Sequence, residues 1–144
     1  MFSVGRNLWF RAVDHTLPTS QRLHDLIPEF RITNICQLCH ITIDSSSHFL
    51  VSCPLRWAVW TRTWGPIFYC EPDEHNLLRV IMDLRWDLIP PNSFVKYTNV
   101  IQGTLLAIWR SHWNLIFNNR PFDPLQVSRS ALKIIHSLQA PSDD

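Results

Sequence analysis

Cysteines at 36, 39 and 53 and a histidine at 48 give the spacing C-x2-C-x8-H-x4-C. Thiolate and imidazole are the donors that soft and borderline metal ions take. A Cys-x-x-Cys pair puts two sulfurs on one tight turn. A His and a Cys with four residues between them can project from a short helix and its end, as in zinc fingers. The pattern therefore predicts that Cys36, Cys39, His48 and Cys53 hold one tetrahedral Zn2+ ion. Four protein donors leave no coordination position for water, so the predicted ion is structural rather than catalytic. Two other chemistries use the same cysteines. A redox Cys-x-x-Cys pair would want a βαβ setting, and none is visible. A disulfide is disfavoured in a reducing compartment. His40 is a spare donor, but adjacent ligands strain the geometry and His48 is preferred. Cys70 reads as a small buried apolar residue.

The elements that must position these donors read mainly as helices. Residues 3–15 suit a helical face, with Val4, Leu8, Trp9, Phe10 and Val13 as its apolar members. Leu17-Pro18-Thr19 ends it, and Thr19 can cap a short helix over 20–27. Segment 29–53 is rich in β-branched residues around the two cysteines and reads as a loop or a short two-stranded ribbon. The serines at 45–47 supply caps for one or two helical turns over 48–53. Pro54 suits the first turn of a further helix, which Gly65-Pro66 is expected to stop. Pro72-Asp73-Glu74 opens another helix, with Leu77, Ile81, Leu84 and Leu88 on one face. Pro90-Pro91 ends it. The longest helix is predicted over 94–118, with a face wide enough to be central to the core, and a last one over 124–139. The fold class predicted is thus mainly α: a small helical domain stapled by one Cys3His site over residues 1–69, then a helical extension over 70–144. The extension's apolar faces need partners, which can be one another, the N-terminal half or another chain.

Composition narrows the function. Hydrophobic residues make up 46% of the 144, which argues against disorder. Seven Trp and eight Phe point to an aromatic core or interface. A net charge of +1 lacks the basic excess of a free-standing nucleic-acid binder. No run approaches the ~18 apolar residues that span a bilayer, and the N-terminus shows no basic-then-apolar signal pattern. The expectation is an intracellular protein of a reducing compartment, nucleus or cytoplasm, with no membrane partner and no small-molecule substrate.

Taken in order, Leu17-Pro18-Thr19 with Arg22-Leu23, then Cys36-x2-Cys39, Asp44-Ser45-x-x-His48, Cys53-Pro54 and Trp60 form a pattern. It resembles the zinc-binding domain that follows the polymerase in reverse transcriptases of non-long-terminal-repeat retrotransposons. The resemblance covers roughly residues 7–64. Asp44 and Ser45 stand where that family carries an acid and a threonine. The resemblance implies a module that helps the element's reverse transcriptase engage RNA or DNA, with the polymerase core as a possible partner. The chain itself has no Tyr-x-Asp-Asp metal-binding pair and no endonuclease segment. It is expected to be a tail without its enzyme, in use or left from a decayed element.

Three functions follow for weighing. Nucleic-acid binding is suggested by Arg6, Arg11, Arg22 and Arg31, and by Arg56 and Arg62 interleaved with Trp57, Trp60 and Trp64, because arginine and aromatic rings suit phosphate contact and base stacking. The plainer reading makes those tryptophans a core stripe and the arginines its solvated rim. A protein-interaction module is favoured by the low net charge. An enzyme is not expected: Asp14/His15 and Asp73/Glu74/His75 lack a nucleophile, a phosphate loop or an open metal site. Asp73 and Glu74 are better placed as favourable charges at a helix N-terminus.

Overall fold

The structure is a computed structural model. It describes Trp9, Arg11, Ala12, Leu17, Thr19, Gln21, Arg22, Leu26, residues 34–90 and residues 94–139. Among the described residues four helices dominate: α1 (Pro54–Phe68), α2 (Glu74–Asp83), α3 (Phe94–Asn118) and α4 (Pro124–Gln139). A π-helical turn (His48–Ser52) precedes α1, and a 3-10 turn (Trp86–Leu88) follows α2. The expected mainly α fold is what the described residues adopt. Among them the ribbon reduces to one antiparallel bridge, Ile35 to Ile43. Most of the helices expected over 3–15 and 20–27 lies outside the described residues. Trp9, Arg11, Ala12, Gln21, Arg22 and Leu26 are helical, and the Thr19 hydroxyl accepts the Arg22 N–H at 3.1 Å, as an N-cap should.

α3 is central because residues 100–108 are buried all round. Thr104 there donates its hydroxyl within the helix, to the Val100 carbonyl at 2.7 Å. The Thr104 and Thr63 hydroxyls meet at 3.2 Å, tying α3 to α1. Gly103 lets α4 approach closely: a Cβ at that position would lie 2.6 Å from Ile135 Cγ1 and 3.3 Å from the Ile135 backbone nitrogen. One buried cluster contains Phe49, Val59 and Trp60 together with Ile101, Ile108, Ala131 and Ile135. The core thus runs across position 70. Trp9 joins it by donating its indole N–H to the Ile81 carbonyl at 2.9 Å.

Two helix ends differ from expectation. α1 does not stop at Gly65-Pro66 but runs to Phe68, with Pro66 inside it. Proline removes one helical hydrogen bond, but packing outweighs that loss. Trp64 contacts Phe68, and both contact Tyr97 of α3, with centroids 4.4–5.2 Å apart. Tyr69 then ends the helix in left-handed conformation, its N–H on the Gly65 carbonyl. α2 ends at Asp83, so the predicted face does not reach Leu88. Leu84 turns left-handed at φ 53 and is 40% exposed, leaving Leu77, Val80 and Ile81 as the buried face. At the other end α2 starts where predicted, and Asp73 caps it by accepting the Asn76 N–H at 2.9 Å.

Candidate metal centre

The two cysteines of the knuckle lie on a turn that the backbone closes locally. Cys36 donates its N–H to the Thr42 carbonyl at 2.8 Å, and His40 donates to the Cys36 carbonyl at 3.0 Å. His40 takes φ 58, which sharpens the turn and leaves its side chain exposed, away from the site. The Leu38 N–H points at Cys36 Sγ, 3.3 Å away. Such a donor stabilises a thiolate.

His48 and Cys53 sit at the two ends of the π turn. Ser45 starts the segment by accepting the His48 N–H on its hydroxyl at 3.4 Å. Cys53 donates its N–H to the His48 carbonyl, five residues back, at 3.2 Å. α-Helical spacing would swing residues five apart by about 140°. The wider turn brings them nearer one face, which is how a His-x4-Cys pair serves one site. Pro54 then opens α1 as predicted.

The donor atoms of Cys36, Cys39, His48 and Cys53 all lie within 4.8 Å of one another. Cys36 Sγ is 4.0 Å from Cys53 Sγ, and Cys39 Sγ is 3.4 Å from His48 Nε2. The four predicted ligands are therefore brought together, close enough to hold one metal ion. Thr42 Oγ1 lies 3.5 Å from His48 Nδ1. An Nδ1–H donated there leaves Nε2 as the ligand atom, the usual division of roles in a metal-bound imidazole. As bare thiols, Cys36 and Cys53 are coupled. Their mutual hydrogen bond, then burial, pushes Cys36 up to about 12, and the same bond lowers Cys53 to about 7.

Behind the ligands lies a residue that sequence reasoning misplaced. The sequence puts Arg56 either on a phosphate contact or on a solvated rim, and it is 0% exposed. This corrects its assignment: a side chain without solvent access cannot meet a nucleic acid. Its guanidinium Nη1 reaches Asp44 Oδ1 at 3.2 Å, the His48 carbonyl at 3.3 Å and Cys36 Sγ at 3.7 Å. Nη2 lies 3.2 Å from His112 Nδ1 of α3. The Phe49 ring packs against the guanidinium, 4.6 Å from its carbon. Asp44, also 0% exposed, completes a buried ion pair. Arg56 thus joins the knuckle, the π turn and α3. Of the other arginines, Arg62 is exposed on α1 and Arg22 is half-buried. Arg6 and Arg31 lie outside the described residues. Trp60 and Trp64 are buried, and Trp57 packs against the core, which fits the core stripe. Cys70 is exposed rather than buried, and it does not belong to the cluster of donors.

His112 is held neutral. Burial, then the Arg56 charge, lowers its pKa from 6.5 to about 3. The unfolded chain therefore binds a proton that the folded chain refuses between those values. Stability present above 6.5 is lost as pH falls below it, at about 1.4 kcal/mol per pH unit from this group. His112→Gln keeps an acceptor for Arg56 but does not titrate, so its stability should fall less steeply with acid, by one proton's worth. Equal slopes in denaturant titrations of the two proteins would show that His112 takes up its proton in the folded state.

No described helix is long and apolar enough to cross a membrane. Comparison of the chain with family models, with curated proteins and with solved structures gave no match.

Proposed function

We propose that the centre holds one structural zinc ion, and that the domain is a zinc-stapled tail of the retrotransposon reverse transcriptase type that helps its polymerase engage RNA or DNA. The observation that carries the first part is the convergence of three sulfurs and one imidazole nitrogen within 4.8 Å. Zn–S bonds of about 2.3 Å in a tetrahedron put sulfurs about 3.8 Å apart, and a sulfur and a nitrogen about 3.6 Å apart. The separations of 4.0 and 3.4 Å lie close to those values, and every other donor pair lies within 4.8 Å. Three thiolates and a neutral imidazole leave a divalent ion one unit negative. Arg56, with Nη1 at 3.7 Å from Cys36 Sγ, faces that charge from inside the protein while it also pairs with Asp44.

The second part rests on the order and spacing of Leu17, Pro18, Thr19, Arg22, the four ligands, Pro54 and Trp60. Two of these residues have structural roles of their own. Thr19 serves as a cap, and Trp60 is an anchor, donating its indole N–H to the Leu50 carbonyl between two ligands at 2.9 Å. For nucleic acid, Arg62 and Arg22 are the proposed contacts. Binding of labelled RNA and DNA should weaken steeply with salt, because phosphate contacts release counterions. Arg62→Ala, on an exposed position, should lower affinity without changing the melting temperature. Salt-insensitive binding to a polymerase fragment, with no RNA or DNA binding, would replace this reading with the protein-interaction module that the net charge of +1 favours.

A further inference from the structure

The last third of α3 carries a row of rings that the metal centre does not use. Trp109, Trp113 and Phe117 are spaced by four and share a face. Trp109 meets Trp113 edge-on at 5.4 Å, and Trp113 stacks on Phe117 at 5.3 Å with planes 18° apart. The inner end is anchored: Trp109 packs against Phe49, and Trp113 against His112. The outer end is open, with Phe117 75% exposed. An aromatic residue this exposed beside a rigid, stacked neighbour is a platform with one free side.

Charge says what fits there. The 25 residues of α3 contain no Asp or Glu. Arg110 is exposed beside the row, next to Trp109 and three residues before Trp113. Past Asn118 the chain turns back, with Asn119 at φ 53 and the Arg120 N–H on the Asn114 carbonyl at 3.2 Å. A cleft of about 250 Å³ opens alongside, lined in part by Ser111, Asn114, Arg120, Asp123 and Gln126. Asp123 is the one carboxylate in it, and its Oδ1 already accepts the Leu125 N–H at the start of α4. One flank of the row carries the exposed Arg110 and Asn114, and Ile116, 42% exposed, lies on the other. A narrow ring row with arginine along one flank suits the bases and phosphates of a nucleotide strand better than the broad apolar centre of a protein interface does.

We propose that this end of α3 binds single-stranded nucleic acid, with a base stacked on the Trp113–Phe117 platform and phosphates at Arg110 and Arg120. The inference rests on the nucleic-acid reading above and adds the place and the strandedness. Single strands are favoured because only unpaired bases offer a free face to an aromatic ring.

The test uses the full chain with its metal and a labelled oligouridine of about 15 nucleotides, followed by fluorescence anisotropy. Phe117→Ala should weaken binding on the order of tenfold. Arg110→Ala should weaken it and shallow the salt dependence by roughly one phosphate contact. Both should keep the wild-type melting temperature, since both side chains are exposed. Wild-type binding that neither variant changes would overturn this site and leave the general reading standing. Preference for duplex over single strand would overturn the strandedness. No binding by the wild type would remove both readings. A dimer in solution that Phe117→Ala dissolves, with oligouridine binding unchanged, would make the row a self-association face and also overturn the proposal.

Discussion

Arg56→Ala is expected to destabilise the protein by about 3–5 kcal/mol, the range for breaking a buried ion pair by removing one partner. The substitution removes the guanidinium that pairs with Asp44 at 0% exposure and withdraws a donor from the His48 carbonyl and from His112. It also opens space beside Phe49. A loss of this size is a large fraction of a domain's total stability. Denaturant unfolding of the metal-loaded protein measures it. Arg56→Lys should recover only part of the loss, since an ammonium cannot span the same four partners as a planar fork. Pairing Arg56→Ala with Asp44→Ala should cost less than the two changes summed, because each alone breaks the same pair. A loss under about 1 kcal/mol, typical of an exposed pair, would mean that Arg56 reaches solvent and that its burial is misread.

Cys36→Ser and Cys53→Ser carry the other large effect. Each should lose the metal and the order of at least residues 34–64. Binding of a structural zinc contributes directly to folding free energy, roughly 10–16 kcal/mol apparent in finger peptides. The damage should not stay local, since Arg56 ties the ligand segment to His112 of α3. Hydrogen exchange should therefore speed up in the π turn and in α1, and also around position 112. Cys70→Ser is the matched control: Cys70 is exposed and outside the cluster, so the melt and metal content should be unchanged. A Cys53→Ser protein with full metal and normal exchange would remove Cys53 from the ligand set.

Local chemistry made much of this legible. The ligands announce themselves by spacing because each pair is set by one turn, the knuckle or the π turn. Asp73 and Pro54 mark helix starts through their own backbone needs. The boundaries of α3 and α4 follow from an uninterrupted apolar face between breakers, and α3 runs over the predicted 94–118. What failed depends on distant partners. Arg56 between tryptophans looks like a rim residue, and nothing near it in the chain reveals Asp44, 12 residues before it, or His112, 56 after it. The only available signal was the proximity of an acid to the ligand motif, which is weak alone. Pro66 reads as a stop because the opposing stack of Trp64, Phe68 and Tyr97 is formed partly by another helix. Leu84 fits a helical face by count, but the turn toward Trp86 takes it out of the helix. The tryptophans of α1 are core material, as their helical spacing indicates, while the exposure of Phe117 depends on which helices pack against the end of α3.

Metal content of the purified protein, by elemental mass spectrometry with thermal melting before and after chelation, tests the central claim most directly. The account predicts one zinc per chain and a large drop in melting temperature when it is removed. No zinc, with a melt that chelation leaves unchanged, would contradict it and reduce the Cys3His cluster to four neighbouring side chains.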